Sequence, residues 1–355
     1  MPSEDLQRAQ LTVADKAKPS DSSHLGEVPS VPEVPSAPSV SILRRSPRQG
    51  KTKDLAERFS IDRDKTYGEG CYGATVPAKD KSSGERLAVK IQDMRKVQSD
   101  SIQKECHILE KLSHPNVISV RGHGAGYGGK QKDHYFIFME LASGGELFDQ
   151  VLDCGPTGGM PEANARRFFC QMLNGVNHCH LAGVAHRDLR LENVLLNDEG
   201  CIKLINFGLS HVYPVVEHKD TTIVDNSQLL RDVCGGKSYA APEVLGAMTV
   251  RGGYDGFAAD MWSLGVCLFC MLFCFFPLDE ASPQDWRFLK LQAAQARGAS
   301  TVSTATSFYS RNIKHLTPDV VDLVDSLLKM DPRQRMTMDE CLEHPWVTGK
   351  PAGSE

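Results

Sequence analysis

The spacing of hydrophobic residues changes once along the chain, near Leu141. Before that point, short apolar runs typical of strands alternate with one helical stretch. The strand-like runs cover residues 73–79, 86–91 and 135–141, and the helical stretch lies near residues 101–112. After Leu141 the pattern is mainly helical, as in residues 162–180, where apolar side chains recur three and four positions apart behind Pro161. A sheet-rich part followed by a larger helical part predicts an α+β fold with two lobes.

An uncharged apolar run covers residues 264–278. It is shorter than the roughly 20 residues that a membrane span needs, so we expect a buried core helix instead. Cys267, Cys270 and Cys274 recur within this run at helical spacing, where a cysteine acts as a small hydrophobic residue. A zinc site would need a second pair of ligands nearby, and the sequence offers none. The cysteines therefore predict reduced, intracellular thiols.

Residues 1–54 and 347–355 flank this patterned region. The first segment is rich in proline, serine and glutamate and poor in large apolar side chains, which predicts a disordered tail. Near its end lies a basic cluster made of Arg44, Arg45, Arg48, Lys51 and Lys53. Two interpretations of the cluster stay open: a solvated run of charge, or a contact for nuclear import or an acidic partner. The second segment is predicted to be a short C-terminal tail.

The composition is that of an ordinary globular protein, with 41% hydrophobic and 24% charged residues. The formal net charge of −5 does not favour binding to nucleic acid or to a membrane surface. Residues 1–10 are polar and lack the apolar core of a secretory signal. We therefore expect an intracellular protein, cytoplasmic or nuclear, that binds neither nucleic acid nor a membrane.

A glycine-rich loop opens the region of candidate chemistry. Its three glycines in the pattern G-x-G-x-x-G are Gly68, Gly70 and Gly73. The pattern alone also fits dinucleotide-binding turns, but this loop leads into strand-like residues 75–78 rather than a helix. A strand after the loop indicates the other type of glycine-rich loop, in which backbone N–H groups approach phosphate oxygens closely. Lys90 ends the next apolar run, at the spacing of a phosphate-pairing lysine, and Glu105 is its candidate partner on the predicted helix.

A second motif, His186-Arg187-Asp188 followed by Asn193, completes the pattern. Phosphoryl transfer to a hydroxyl needs a carboxylate that accepts the proton and an oxygen ligand for Mg²⁺ close by. Asp188 and Asn193 supply these two groups at the required spacing. With the glycine loop and the lysine in the same order, residues 59–346 resemble the eukaryotic protein kinase family.

The resemblance implies ATP as phosphate donor, with Mg²⁺ or Mn²⁺, and a protein serine or threonine hydroxyl as acceptor. It implies a β-rich lobe over residues 59–141 and a helical lobe over residues 142–346. The implied nucleotide-binding residues are Gly68, Gly70, Gly73, Ala88, Lys90, Glu140, Ala142 and Leu195. The implied catalytic residues are Asp188, Lys90 and Arg190, and the implied metal ligands are Asn193 and Asn206. The implied structural or regulatory residues are Glu105, Arg187, Asp232, Glu243 and Arg335.

Residues 144–149 and 344–346 most resemble the calcium/calmodulin-dependent and AMP-activated branch of the family. In basophilic members of that branch, carboxylates at the positions of Glu146 and Glu192 pair with an arginine three residues before the target hydroxyl. Such pairing can be bidentate, which makes it geometrically selective. The resemblance therefore implies a protein substrate with an upstream arginine. The residues after Trp346 contain no calmodulin-binding segment.

The chain departs from the family pattern at the metal-binding triplet, which reads Asn206-Phe207-Gly208 instead of Asp-Phe-Gly. An asparagine offers Mg²⁺ a neutral oxygen in place of a carboxylate. Loss of one such electrostatic contact typically costs ~10²–10³ in rate. Weaker departures are an arginine for lysine at Arg190, a glycine for threonine at Gly236 and a threonine for valine at Thr75.

Asp232 lies where relatives carry the activating threonine. It would pair with Arg187 and order the segment without phosphorylation, or it is an exposed loop aspartate. Thr221, Thr222 and Ser227 are alternative regulatory sites. Two functional hypotheses stay open: an ATP-dependent protein serine/threonine kinase impaired by Asn206, and a pseudokinase that acts as a nucleotide-binding, scaffolding or allosteric module.

Overall fold

The structure is a computed structural model that describes residues 52–70, 73–97, 99–155, 158–218, 221–247 and 252–349. The predicted N-terminal and C-terminal tails lie almost entirely outside the described residues. The described part has two lobes, a β-rich one and a helical one, which confirms the predicted two-lobed α+β fold.

An antiparallel sheet of six strands forms the first lobe. Its strands are β1 (Phe59–Ile61), β2 (Gly68–Gly70), β3 (Gly73–Asp80), β4 (Arg86–Asp93), β5 (Val120–Tyr127) and β6 (Lys130–Glu140). They lie in the order β1-β3-β4-β6-β5, with β2 paired to β3. The predicted helix of this lobe is α2 (Ser99–Lys111), which buries Ile102, Cys106 and Leu109. The three predicted strands are therefore present, although β6 begins earlier than the hydrophobic pattern indicates.

A helix that the sequence analysis missed, α1 (Thr52–Arg58), precedes the sheet and crosses the predicted tail boundary at residue 54. Leu55 is buried in the core of this lobe. Arg58 Nε donates to Asp80 Oδ2 at 2.8 Å, which ties the end of α1 to β3. The helix is short and contributes one large apolar side chain, so the hydrophobic pattern does not distinguish it from the tail.

The second lobe is mainly helical. Its helices are α3 (Leu147–Asp153), α4 (Glu162–Leu181), α5 (Pro242–Leu245), α6 (Gly256–Phe273), α7 (Trp286–Gln295), α8 (Thr301–Ser307), α9 (Pro318–Leu327), α10 (Met338–Glu343) and α11 (Pro345–Thr348). Its short strands are β7 (Val184–Ala185), β8 (Val194–Leu196), β9 (Ile202–Leu204), β10 (His211–Val212), β11 (Val215–His218) and β12 (Thr221–Val224). They form the antiparallel pairs β7–β10, β8–β9 and β11–β12.

Helix α6 is the centre of the helical lobe. By length and composition it could cross a membrane, but 89% of its apolar window is buried inside the protein. This confirms the predicted core helix, which begins earlier than the uncharged run. Cys267 and Cys270 are buried free thiols within it. Asp255 caps its first turn by accepting from the N–H of Phe257 at 2.9 Å.

Candidate active site

Lys90 and Glu105 form an ion pair between the sheet and helix α2. Lys90 Nζ donates to both carboxylate oxygens of Glu105, at 2.8 and 3.0 Å. Glu105 is buried and Lys90 is partly exposed. The structure thus brings together the two residues that the sequence pairs, and it fixes the ammonium group of Lys90 in one position. Contact of that group with ATP stays a prediction.

The glycine loop joins β2 to β3, with Gly70 opposite Gly73. A Cβ atom on Gly73 would lie 1.8 Å from the carbonyl oxygen of Ile91, so the adjacent strand leaves no room for a side chain. No atom lies within 4 Å of the same position on Gly68. Gly68 therefore leaves space for a ligand, whereas Gly73 is required by the sheet itself.

The other predicted nucleotide residues lie on the strands and the segment that joins the lobes. They are Ala88 on β4, Glu140 at the end of β6, Ala142 just after it and Leu195 on β8. The side chain of Glu140 accepts from the N–H of Ser119 at 2.8 Å and pairs with Lys203 at 2.9 Å. The Glu140 carboxylate is therefore engaged within the protein, and contact of the backbone of this segment with adenine stays a prediction.

A buried aspartate that the sequence analysis did not assign, Asp260 on α6, holds the catalytic loop. Its carboxylate accepts from the backbone N–H groups of His186 and Arg187, each at 2.8 Å, and lies 2.9 Å from Nε2 of His180. Arg187 has a φ of +66°, a strained conformation that persists only where the surroundings hold it. A single charged residue just before a long uncharged run is the feature of the sequence that could have identified Asp260.

Asp188 is anchored by two neighbours. Asn193 Nδ2 donates to the backbone carbonyl and to Oδ2 of Asp188, each at 2.8 Å. The N–H of Gly236 donates to Oδ1 at 3.3 Å. Because each carboxylate oxygen has two lone pairs, Oδ1 retains capacity for the proton of a hydroxyl. The predicted acceptor is therefore fixed in place and can take a further hydrogen bond.

Asn206 joins Asp188 and Asn193 through its amide group. It follows β9 in the left-handed conformation, with φ 68° and ψ 63°, which asparagine tolerates better than most residues. Its Nδ2 donates to Asp188 Oδ2 and to Asn193 Oδ1, both at 3.3 Å. The two predicted metal ligands and the predicted proton acceptor are therefore hydrogen-bonded to one another.

This arrangement does not fit a divalent cation. Mg²⁺ takes oxygen ligands and usually one or two carboxylates, whereas the group of Asn206 that faces Asn193 Oδ1 is a nitrogen. Within the described ranges, no group of three His, Cys, Asp or Glu side chains forms another metal site. The metal role of Asn193 and Asn206 stays a prediction, one that the orientation of the Asn206 amide disfavours.

Arg190 and Gly236, two of the departures from the family pattern, are neighbours in space. Arg190 Nη2 contacts Glu192 Oε1, and its guanidinium lies 5.7 Å from the ring centre of Tyr239. A Cβ atom on Gly236 would lie 3.1 Å from Arg190 Nη1. The glycine therefore makes room for the arginine. The predicted contact of Arg190 with a phosphate would require the guanidinium to leave Glu192.

Glu146 and Glu192, the predicted contacts for a substrate arginine, have different surroundings. Glu192 accepts from Arg190 and from Tyr239 Oη, the latter at 3.0 Å. Burial, and then the charges of Asp149 and Glu192, raise the pKa of Glu146 above its ordinary value. Glu192 thus already has a cation beside it, whereas a cation near Glu146 would relieve an unfavourable charge.

Asp232 contacts Arg187, which agrees with the first of the two interpretations left open, and its side chain is 67% exposed, which agrees with the second. Tyr254, which the sequence analysis did not single out, bridges the two: its hydroxyl accepts from Arg187 Nε at 3.2 Å and donates to the Asp232 carbonyl at 2.9 Å. Burial raises the pKa of Asp232, but the hydrogen bond and the charge of Arg187, with smaller contributions from the backbone and His211, together outweigh it, and the pKa lies below its ordinary value. Thr221 and Thr222 lie on β12 of the β11–β12 hairpin.

Arg335 and Glu243 form the predicted ion pair. Arg335 Nη1 and Nη2 donate to the two carboxylate oxygens of Glu243 at 2.6 and 3.0 Å. The arginine also donates to the carbonyls of Ala258 and Lys329, and its guanidinium lies 5.2 Å from the ring centre of Trp262. The pair therefore joins α5 to α6 and to the loop before α10.

Comparison with known proteins agrees with this geometry. Residues 61–347 match the protein kinase domain. CBL-interacting protein kinase 31 of Oryza sativa subsp. japonica is 33% identical over 85% of this chain and 60% of its own length. CBL-interacting serine/threonine-protein kinase 26 of Arabidopsis thaliana is 33% identical over 79% of this chain and 57% of its own length. The chain thus spans less than two thirds of the length of these relatives, which their names describe as CBL-interacting kinases. The chain belongs to the protein kinase domain family.

Proposed function

We propose that the chain is an ATP-dependent protein serine/threonine kinase whose rate is impaired by Asn206. The observation that carries this proposal is the anchored carboxylate of Asp188, held by Asn193 and Gly236. The intact pair of Lys90 and Glu105 supports it. A site that had lost its chemistry would have no need of a fixed proton acceptor.

In this proposal the protein contributes positioning and electrostatics, which dominate catalysis of phosphoryl transfer. The ammonium group of Lys90, oriented by Glu105, binds the phosphates of ATP. Asp188 orients the acceptor hydroxyl and accepts its proton. Members of the family generally use Mg²⁺ with ATP; the step proposed for this chain uses only its own residues.

The substrate is proposed to carry an arginine before the target hydroxyl. The raised pKa of Glu146 supports this, because a guanidinium beside it would favour its charged form. Glu192 is engaged by Arg190, so Glu146 is the main contact in this proposal. The buried thiols of Cys267 and Cys270 support a further proposal, an intracellular location.

A second candidate function is a pseudokinase that binds nucleotide, or acts as a scaffold or allosteric partner, without transfer. The hydrogen bonds from Asn206 favour it, because they occupy Asp188 Oδ2 and Asn193 Oδ1, and the second of these oxygens is the one predicted to bind the metal.

The two functions differ in radiolabelled phosphate transfer from ATP, with Mg²⁺ or Mn²⁺, to an arginine-containing peptide. If the chain is a kinase, the parent protein exceeds Asp188→Ala by roughly 10² or more in rate. Asn206→Asp is expected to raise the parent rate by ~10²–10³. A parent protein no faster than Asp188→Ala, with activity gained in Asn206→Asp, would establish the pseudokinase.

A further inference from the structure

The side-chain amide of Asn206 lies between an oxygen of the predicted proton acceptor, Asp188, and an oxygen of the other predicted metal ligand, Asn193. Its nitrogen lies 3.3 Å from Asp188 Oδ2 and 3.3 Å from Asn193 Oδ1. Its two hydrogen-bond partners are one carboxylate, that of Asp188, and one neutral amide, that of Asn193. The amide of Asn206 thus donates a hydrogen bond to Asn193 Oδ1, the oxygen that is predicted to hold a metal, and a second one to Asp188 Oδ2.

The neighbouring bonds determine which end of the amide faces inward. Asn193 donates its Nδ2 to the backbone carbonyl of Asp188, which can only accept, so Oδ1 is the acceptor end of Asn193. Asn206 therefore faces two acceptors, Asn193 Oδ1 and Asp188 Oδ2, and must present its nitrogen to both. Turning its oxygen inward would place three oxygens together and would break two hydrogen bonds.

The backbone around Asn206 holds this orientation. The residue is left-handed, and the next residue, Phe207, is buried with its ring 4.7 Å from that of His186. His186 is in turn fixed through its N–H to Asp260. The amide is therefore attached to a backbone that is held at the next residue, Phe207, which favours a preformed arrangement over one assembled by a ligand.

The charge of the site also favours an arrangement without a divalent cation. An aspartate at position 206 would place two carboxylates side by side, and their repulsion would need a cation to offset it. Asparagine removes one negative charge from the region that faces the phosphates. The attraction of the site for a divalent cation falls, and so does its repulsion of metal-free ATP. Lys90 remains as the positive group for the phosphates.

We infer that this site binds ATP without a divalent cation. The Asn206 amide donates hydrogen bonds that hold Asp188 and Asn193 in place when no metal is bound. The inference rests on the proposed nucleotide site. It concerns binding, so it stands or fails independently of phosphate transfer.

The test is calorimetric titration of the full chain with ATP, once in excess EDTA and once in Mg²⁺. The parent is expected to bind with dissociation constants within about threefold of each other in the two buffers. Asn206→Asp is expected to bind ~10-fold or more weakly in EDTA than in Mg²⁺. Asn312→Asp, which adds the same charge at an exposed position, serves as the matched control and should behave as the parent.

Two outcomes would overturn the inference. One is ATP binding by the parent that is lost in EDTA and regained in Mg²⁺. The other is no ATP binding by the parent in either buffer, which would contradict the proposed nucleotide site itself. Binding in both buffers without phosphate transfer would leave the inference intact and would contradict only the proposed kinase activity.

Discussion

At the scale of single residues, Arg190 and Gly236 form a matched pair. The guanidinium of Arg190 is held by Glu192 and lies over Tyr239, and its Nη1 occupies the space beside Gly236. A lysine would lack the planar guanidinium that contacts Glu192 and lies beside the ring of Tyr239. The two departures from the family pattern, which read as separate losses along the sequence, are one local change of packing.

Gly236→Thr alone is therefore expected to destabilise the protein, by ~1–3 kcal/mol, because its Cβ would crowd Arg190. The double variant Arg190→Lys, Gly236→Thr should recover part of that loss. Urea unfolding of the four proteins of this cycle would measure the coupling, which we expect at ~0.5–3 kcal/mol. Additive changes in the free energy of unfolding would contradict the pairing.

The residue types of the site were predictable because motif spacing constrains them, as at Lys90, Asp188 and Asn193. The contacts that determine the orientation and role of the site's side chains could not be predicted from the sequence. The inward nitrogen of Asn206 depends on the carbonyl that orients Asn193. The role of Asp260 depends on its meeting a loop far away along the chain. Such facts belong to tertiary packing, which a local pattern does not specify.

At the scale of elements, two histidine rings connect the loop after α2 to helix α4. The rings of His114 and His178 stack with centres 5.1 Å apart. One nitrogen of each ring accepts a hydrogen bond from a backbone N–H: His178 Nε2 from Ser113 at 3.2 Å, and His114 Nδ1 from Asn116 at 3.1 Å. Burial, and then His178, lower the pKa of His114 to about 4, and burial lowers the pKa of His178.

This contact makes stability depend on pH. The unfolded chain binds protons at these histidines below their ordinary pKa of 6.5, while folded His114 stays neutral down to about 4. The stabilisation is therefore present above pH 6.5 and is lost as pH falls toward 4. Melting temperatures measured across this range should fall less steeply for His114→Asn than for the parent. His107→Gln, at an exposed histidine of α2, is the control, and an equal effect of both variants would contradict the prediction.

At the scale of the whole molecule, Glu243 and Arg335 hold the end of the activation segment to the helical core. The side chain of Arg335 is 1% exposed and that of Glu243 is 14% exposed, so the pair is shielded from water. Burial of a lone guanidinium is costly, which makes the loss of either partner more serious than the pair's own contribution.

Glu243→Ala is therefore expected to lower the free energy of unfolding by ~3–5 kcal/mol. Glu243→Gln, which keeps an acceptor for Arg335, should lose less. Glu243→Leu combined with Arg335→Met should be more stable than Glu243→Ala, because it buries no unpaired charge. Urea unfolding would measure all three variants. A loss below about 1 kcal/mol for Glu243→Ala would show that the pair behaves as an exposed one.

Helix α1 has a consequence for any shortened version of the protein. Similarity to the family begins at residue 61, yet the folded unit begins at least at Thr52. A fragment cut at the family boundary would keep every residue of the nucleotide site and lose Leu55 and Phe59 from beneath the sheet. A low activity of this fragment would then reflect the loss of core packing in the first lobe and not a defect of the active site. Comparisons of activity should therefore use proteins that retain α1.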